Sequence, residues 1–337
     1  MFPYVSIIIP TYNRSVLLKQ TLNSFLNINY PKNRYEIIVS DNNSSDNTKY
    51  TVTKFKKLVL PVKYIFIKKQ GVHYARNYAS KIAKGDILYF TDDDMIATKN
   101  ILLELVGIFQ KDKKIAVATG LILPKFEIVP PKWIKKYLIN FWLSLTDSRI
   151  KKKNIIISNN DFGIFSCHQA IKKDIFFKSG GFNPENTAGV WIGDGETGLN
   201  IKIKKLGYKF AYVKKSVIFH YISKSRLNFK YLLNRVINQA NSDSYTFYRK
   251  HRNKRKILFF LIIRNFLTAP LYFLYTFIKV VFRKTSYRFL PCYIKYYYNR
   301  NKYDLKLYKE SKFRKLVEID NWLNHKKKVT INIKNNN

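Results

Sequence analysis

Three consecutive carboxylates, Asp92, Asp93 and Asp94, close the apolar run Ile87–Thr91. Adjacent acids repel one another, so a triplet at a strand end needs solvent, a cation or a ligand to offset that cost. In an extended segment alternate side chains share a face, which predicts Asp92 and Asp94 toward one site and Asp93 away from it. Hard divalent ions take such oxygens, and Mg²⁺ or Mn²⁺ commonly bridges one or two carboxylates to a diphosphate. The alternative is an acidic surface turn. Composition weighs against it: Lys and Arg number 62 against 21 Asp and Glu, so three of the scarce acids stand in one place.

A second acidic group lies in Trp191-Ile192-Gly193-Asp194-Gly195-Glu196. Its glycines suit a tight turn at a helix N-terminus, where carboxylates are favoured. Glu196 or Asp194 can serve as a general base if held about 3 Å from a hydroxyl proton; N-capping by Asp194 is the alternative. Asp41 follows the apolar run Tyr35–Ser40 and reads either as a turn former or as an acceptor for a nucleobase N–H. Pro10, Thr11, Tyr12 and Arg14 close the first apolar run, with Tyr12 suited to framing a base. Arg76, in GVHYARN, can reach phosphate or pair with Asp41 or Asp92. His220 ends the run Val213–Phe219 as a third metal ligand, a diphosphate contact or simply a polar strand end. Cys167 and His168 lack the partners of a nucleophilic arrangement. The two cysteines, Cys167 and Cys292, fit a reducing compartment rather than a disulfide scaffold.

These residues need a sheet that delivers them to one edge. Val5–Pro10, Tyr35–Ser40, Val62–Ile67, Asp86–Thr91 and Ala116–Leu123 read as strands. Helices are expected from Ser15, over Tyr74–Ile82 and over Asn100–Phe109. The alternation predicts an open α/β sheet with ligands at the C-terminal ends of its strands. Further on, Asn159–Ala170 returns to the sheet, Ile171–Phe177 forms a short helix before Gly180-Gly181-Phe182, Asp194–Leu206 forms a helix ended by Gly207, and Val213–His220 is a late strand. The core ends near residue 224, giving a domain over 1–224 and a basic, aromatic, mainly helical region over 225–337.

That region begins with an amphipathic stretch, 225–256. Ile257–Phe282 is then strongly apolar and approaches the roughly 20 residues that span hydrocarbon. Arg264 and Pro270 favour instead a pair of interfacial helices, aromatics in the interface and Lys and Arg on anionic headgroups. A buried appendage or a homo-oligomer interface is the alternative. The tail VTINIKNNN reads as weakly ordered. The net charge of +41 demands anionic partners: an acidic membrane face, phosphorylated ligands or nucleic acid. No zinc-finger, helix-turn-helix or RNA-binding aromatic pattern appears, so specific nucleic-acid recognition is not expected. The N-terminus lacks the pattern of a secretory signal, so a cytoplasmic location, peripheral on a membrane, is expected. A non-catalytic nucleic-acid- or phosphate-binding protein is the rival reading.

Taken in order, the segments resemble the inverting family-2 glycosyltransferases with the A-type nucleotide-sugar-binding fold, over roughly residues 3–222. SIIIPTYNR resembles that family's first strand and nucleotide loop, IIVSDNNSSDNT its base-binding aspartate (Asp41), and GVHYARN its nucleotide-site arginine (Arg76). ILYFTDDDM resembles the metal-binding motif, Asp92 toward ribose and Asp94 toward metal and diphosphate. GDGETGLNIKIKKLGYK is similar to the acceptor-side motif, with Glu196 on the catalytic acid; Gly195, Gly198 and Lys202 depart from the usual residues. Phe219-His220 resembles the strand-end histidine near metal and phosphate. The resemblance implies a mostly parallel mixed sheet flanked by helices, with a C-terminal helical appendage. It also implies metal-dependent transfer, with Mn²⁺ or Mg²⁺, of a sugar from a nucleoside diphosphate donor, UDP foremost, to a hydroxyl of a glycan or lipid-linked acceptor. Glu196 is the favoured base and Asp194 the alternative.

Overall fold

The structure, a computed structural model, describes residues 2–57, 61–137, 142–146, 153–161, 163–187, 190–191, 193–251, 255–284 and 286–324. The tail expected to be weakly ordered, VTINIKNNN, lies outside these residues, as does Ile192.

β1 (Val5–Thr11), β2 (Tyr35–Asp41), β3 (Val62–Phe66) and β4 (Ile87–Thr91) alternate with α1 (Ser15–Phe25), α2 (Thr48–Lys57) and α3 (Val72–Ile82). There follow β5 (Met95–Ala97), α4 (Ile101–Gly107), β6 (Ile115–Phe126), α5 (Lys132–Tyr137), β7 (Ile155–Ser158), β8 (His168–Lys172) and α6 (Lys173–Lys178). A small ribbon of β9 (Asn186–Thr187) and β10 (Val190–Trp191) precedes α7 (Gly195–Lys205) and β11 (Lys209–Ile222). The chain continues through α8 (Phe229–Lys250), α9 (Arg255–Val281), α10 (Phe289–Lys309) and α11 (Ser311–Val317).

Nine strands make one mixed sheet in the order β3-β2-β1-β4-β8-β6-β11-β5, with β7 also on β11. β1 to β4 are parallel, whereas β8 runs antiparallel to both β4 and β6. β1 and β2 are buried along their whole length, the pattern of a strand covered on both faces. Alternation within β1 sends Val5, Ile7 and Ile9 to one core with Leu18, Leu22 and Phe25 of α1. Ile8 goes to the opposite core with Ala79 of α3 and Phe176 of α6. Strand order reverses at β1, between β2 and β4, and the crevice beyond their carboxyl ends is where such sheets bind ligands.

Several elements depart from the sequence reading. Of Asn159–Ala170, expected in the sheet, only His168–Ala170 among the described residues join it, as the start of β8. Ile171 and Lys172, expected to begin a helix, continue β8, paired to Leu88 and Ile87 of β4. Ile171 is also paired to Val117 of β6, so it is held extended from both sides, and the helix starts two residues later than expected, at Lys173. β11 begins at Lys209, ahead of the expected Val213, and its register shifts between Val213 and Val217. The apolar segment is one helix, not two, for α9 runs through Pro270. A proline inside a helix removes one donor at a cost of about 3 kcal/mol, and α10 supports α9 on either side of it. Asn265 Nδ2 donates to Asn301 Oδ1 at 3.1 Å, and Tyr272 stacks on Tyr297 at 5.8 Å between centroids.

The segment after residue 225 packs back on the loops around Gly180 and Gly193. Thr246 and Ser242 of α8 bond Asp194 and the Gly193 carbonyl, and the Trp322 N–H donates to the Gly180 carbonyl at 3.0 Å. Ile263, Leu267, Leu271, Leu274 and Ile278 form an exposed stripe along α9. Among the described residues, Phe259–Val281 is a helix long and apolar enough to cross a membrane.

Candidate active site

Parallel pairing sets the ends of β1 and β4 side by side, so Thr11 and the aspartate triplet share one edge. A cavity of about 510 Å³ opens there, its wall including Pro10, Thr11, Tyr12, Arg14, Asp92, Asp93 and Asp94. Tyr12 is about half exposed at its rim. Asp41 is not in that wall: it is buried, its Oδ1 accepting from the Ser44 N–H at 2.9 Å and its Oδ2 from the Tyr64 hydroxyl at 2.6 Å. Its neighbour Asn42, which the sequence reading passed over, does reach the cavity. Asn42 fixes the following loop, accepting from the Gly71 N–H and donating to the Lys69 carbonyl, both at 2.7 Å.

The expected alternation within the triplet does not hold. β4 stops at Thr91 and residues 92–94 turn, so the two-residue period of a strand no longer applies. Asp93 and Asp94 share one guanidinium instead: Arg14 Nη1 lies 3.1 Å from Asp93 Oδ1 and 3.2 Å from Asp94 Oδ2. Thr11 Oγ1 adds a bond to Asp93 Oδ2 at 2.8 Å. Burial, with the Asp94 charge beside it, still raises Asp93 above the usual carboxylate range. Burial also opposes charge on Asp94, yet the guanidiniums of Arg226 and Arg14 hold it below the usual carboxylate range. Asp92 stands apart, paired with the buried Arg76.

His220 comes to Asp94 through the sheet. β11 pairs with β5 so that His220 opposes Met95, and its Nε2 lies 3.7 Å from Asp94 Oδ2. His220 Nδ1 donates to the Leu143 carbonyl at 2.8 Å, which leaves Nε2 with the lone pair a metal ligand needs. Asp94 Oδ1 is buried with no hydrogen-bond partner. An imidazole nitrogen that carries a lone pair, near an orphaned carboxylate oxygen, fits Mn²⁺ or Mg²⁺. Arg226, unnoticed in the sequence, faces the same pair: Nη2 lies 2.7 Å from Asp94 Oδ2 and Nη1 2.6 Å from His220 Nε2.

A second cavity, of about 210 Å³, adjoins the first; Asp92 and Val72 line both. Arg76, Glu185, Asp194 and Glu196 lie in its wall. The two candidate bases differ sharply. Asp194 precedes α7 but its side chain makes no cap bond; it is held by Asn183 Nδ2 and Thr246 Oγ1, each at 2.8 Å. Among the described residues Glu196 has one side-chain hydrogen bond, a long one from Ser166 Oγ at 3.4 Å, and its side chain is 21% exposed. Burial, reinforced by the Glu185 carboxylate, pushes Glu196 up to about 7.

His73 and Glu185, both unforeseen, complete this wall. His73 Nε2 is 3.5 Å from Glu185 Oε2 and 3.8 Å from Glu196 Oε2, and it has no hydrogen-bond partner. The trio has the composition of a metal site, but its protonation opposes one. Arg76 Nη1, 3.2 Å from His73 Nδ1, can only donate, so the proton of the neutral ring sits on Nε2 and faces the carboxylates. Burial, then the charge of Arg76, keeps His73 neutral, pulling it down to about 3. Gly195 makes the approach possible: at φ +51, its Cβ would sit 2.4 Å from both Glu185 Oε1 and His73 Nε2. Lys202, on α7, donates to the Gly181 carbonyl at 2.6 Å and to Asn183 Oδ1 at 3.1 Å, bracing the loop that holds Asp194. Cys167 is buried and His168 is bonded to Tyr89 and Ser216, so neither forms a nucleophilic pair.

The missed residues carried weak signals. Glu185 is one of the few acids, and His73 lies inside the segment already singled out for Arg76. Arg226 follows His220 among many basic residues and could be found only by its distance in space.

Comparison with known proteins agrees with this arrangement. Residues 6–177 match the profile of glycosyl transferase family 2. The chain is 28% identical over 221 residues to a probable glycosyltransferase, YdaM, of Bacillus subtilis, covering 62% of this chain and 49% of that protein. It thus spans about half the length of this relative. Among solved structures, the mannosyltransferase PcManGT from Pyrobaculum calidifontis, in complex with GDP-Man and Mn²⁺, superposes with a TM-score of 0.54 at 16% identity. That match covers 96% of this chain and 85% of the other. GalNAc-T7 with UDP, GalNAc and Mn²⁺ superposes with a TM-score of 0.52 at 21% identity, over 70% of this chain and 47% of the other. These likenesses establish an A-type glycosyltransferase fold, and with the profile match the chain belongs to glycosyl transferase family 2.

Proposed function

We propose that this chain transfers a sugar, with inversion, from a nucleoside diphosphate donor to a hydroxyl of a glycan or lipid-linked acceptor. The observation that carries the reading is the place of Asp92, in the wall of both cavities. A donor in the larger cavity would present its sugar at that shared wall to an acceptor in the smaller one. Tyr12 frames the base, with Asp41 fixing the base loop through Ser44; UDP is the leading donor nucleotide. Arg76 orients Asp92 toward the ribose. Glu196 takes the proton of the acceptor hydroxyl, whose oxygen attacks the anomeric carbon as the bond to the diphosphate breaks on the opposite face. Asp194, with both oxygens tethered, positions the start of α7 rather than exchanging protons.

Asp94 and His220 would hold a divalent ion, which when bound offsets charge developing on the leaving diphosphate. Residues 1–224 serve as the catalytic domain and 225–337 as the part that meets the cytoplasmic face of a membrane. The exposed stripe of α9, with Arg264, Arg283 and Lys284 exposed on and just beyond that helix, supports the membrane role. The test is a nucleotide-sugar panel with candidate acceptors, reading released UDP or GDP. Acceptor-dependent release that requires Glu196 supports the reading. No release from any donor, with salt-sensitive nucleic-acid binding instead, would sink it.

A further inference from the structure

Arg226 and a divalent ion compete for the same atoms. His220 has one available lone pair, on Nε2, because Nδ1 carries the proton it gives to Leu143. Arg226 Nη1 already uses that lone pair at 2.6 Å, and Nη2 lies 2.7 Å from Asp94 Oδ2. A guanidinium hydrogen and a metal cannot share one nitrogen lone pair, so an ion bound by both Asp94 and His220 requires Arg226 to leave. Without the ion, the buried Asp94 carboxylate would lose much of its compensating charge if Arg226 left. Arg226 lies in the donor cavity wall, just past the end of β11, so phosphate oxygens there offer it a second partner.

We propose that Arg226 is a built-in counter-cation that holds the metal side of Asp94 and His220 until a nucleoside diphosphate draws it onto phosphate, so that ion and donor bind cooperatively. This rests on the reading of Asp94 and His220 as ion ligands. The coupling is reciprocal by linkage: UDP strengthens Mn²⁺ binding by the factor by which Mn²⁺ strengthens UDP binding.

The experiment titrates Mn²⁺ into the full chain, with and without UDP, following free Mn²⁺ by electron paramagnetic resonance. In the wild type, Mn²⁺ alone should bind weakly and UDP should tighten it by tenfold or more. Arg226→Ala should bind Mn²⁺ alone at least tenfold more tightly than the wild type, with the UDP enhancement reduced. Arg226→Lys, which keeps the charge but not the two-pronged contact, should fall between them and serves if the alanine variant does not fold. Equal or weaker Mn²⁺ binding by the folded Arg226 variants, with wild-type binding lost in Asp94→Asn, would overturn the Arg226 proposal and leave the ion site standing. Mn²⁺ binding that survives in Asp94→Asn, or is absent from wild type even with UDP, would remove the ion site itself and the proposal with it.

Discussion

Arg76 Nη1 lies 3.2 Å from His73 Nδ1, and this single contact decides where the imidazole proton sits. A guanidinium cannot accept, so the proton faces Glu185 and Glu196, and a cluster with the makeup of a metal site becomes a donor facing two acids. The same Arg76 pairs with Asp92 through Nη2, linking the two cavities through one side chain.

Replacing His73 by Leu should move the acid limb of the kcat/KM profile to higher pH. The Nε2–H and the Arg76 charge favour the Glu196 carboxylate, whereas burial and Glu185 oppose it. Losing the N–H leaves the opposing effects stronger. Activity at pH 7 should fall and recover in part above pH 8. An unshifted limb would show that His73 only fills space.

Glu196→Gln should lower turnover by roughly 10²–10⁴-fold, the usual worth of a positioned general base. Asp194→Asn, which preserves an acceptor, should stay within about tenfold, the scale of one hydrogen bond. In the wild type, activity should fall as pH drops through about 7, where Glu196 takes up its proton. The stability sign is the reverse. A carboxyl raised above its unfolded value binds its proton more tightly when folded, so its contribution falls as pH rises from the ordinary carboxylate range through about 7. Glu196→Gln should therefore melt higher than wild type at pH 8, with the gap closing near pH 4. Loss of turnover in Asp194→Asn alone would reverse the assignment of the base.

Gly195→Ala should destabilise the chain by about 1–3 kcal/mol, as expected for a strained non-glycine backbone, and abolish most turnover. The new methyl would sit 2.4 Å from both His73 Nε2 and Glu185 Oε1 at a φ of +51. Urea unfolding reads the first effect and donor hydrolysis or transfer the second. Wild-type behaviour in both would show that the loop relaxes freely.

The full chain should co-sediment with vesicles containing phosphatidylserine and much less with neutral vesicles. The paired change Leu267→Glu and Leu271→Glu, on the exposed stripe of α9, should reduce binding severalfold while leaving the melting temperature unchanged. Binding removed by high salt but indifferent to these two changes would assign attachment to charge alone.

By itself the sequence determined the alternating strands, the crevice beyond β1 and β4, and the concentration of scarce acids there. Those features are local: continuous apolar runs are buried strands, and polar residues collect where such runs stop. It could not determine what each acid faces. The triplet leaves its strand at Asp92, so the period-two rule failed at the residues of greatest interest. Choosing between Asp194 and Glu196 depended on Asn183 and Thr246, which lie 11 and 52 positions from Asp194. Arg226 meets Asp94 across 132 positions, brought there by the pairing of β11 with β5. Protonation and ion competition depend on a few ångströms between such distant groups, and only the folded sheet sets those distances.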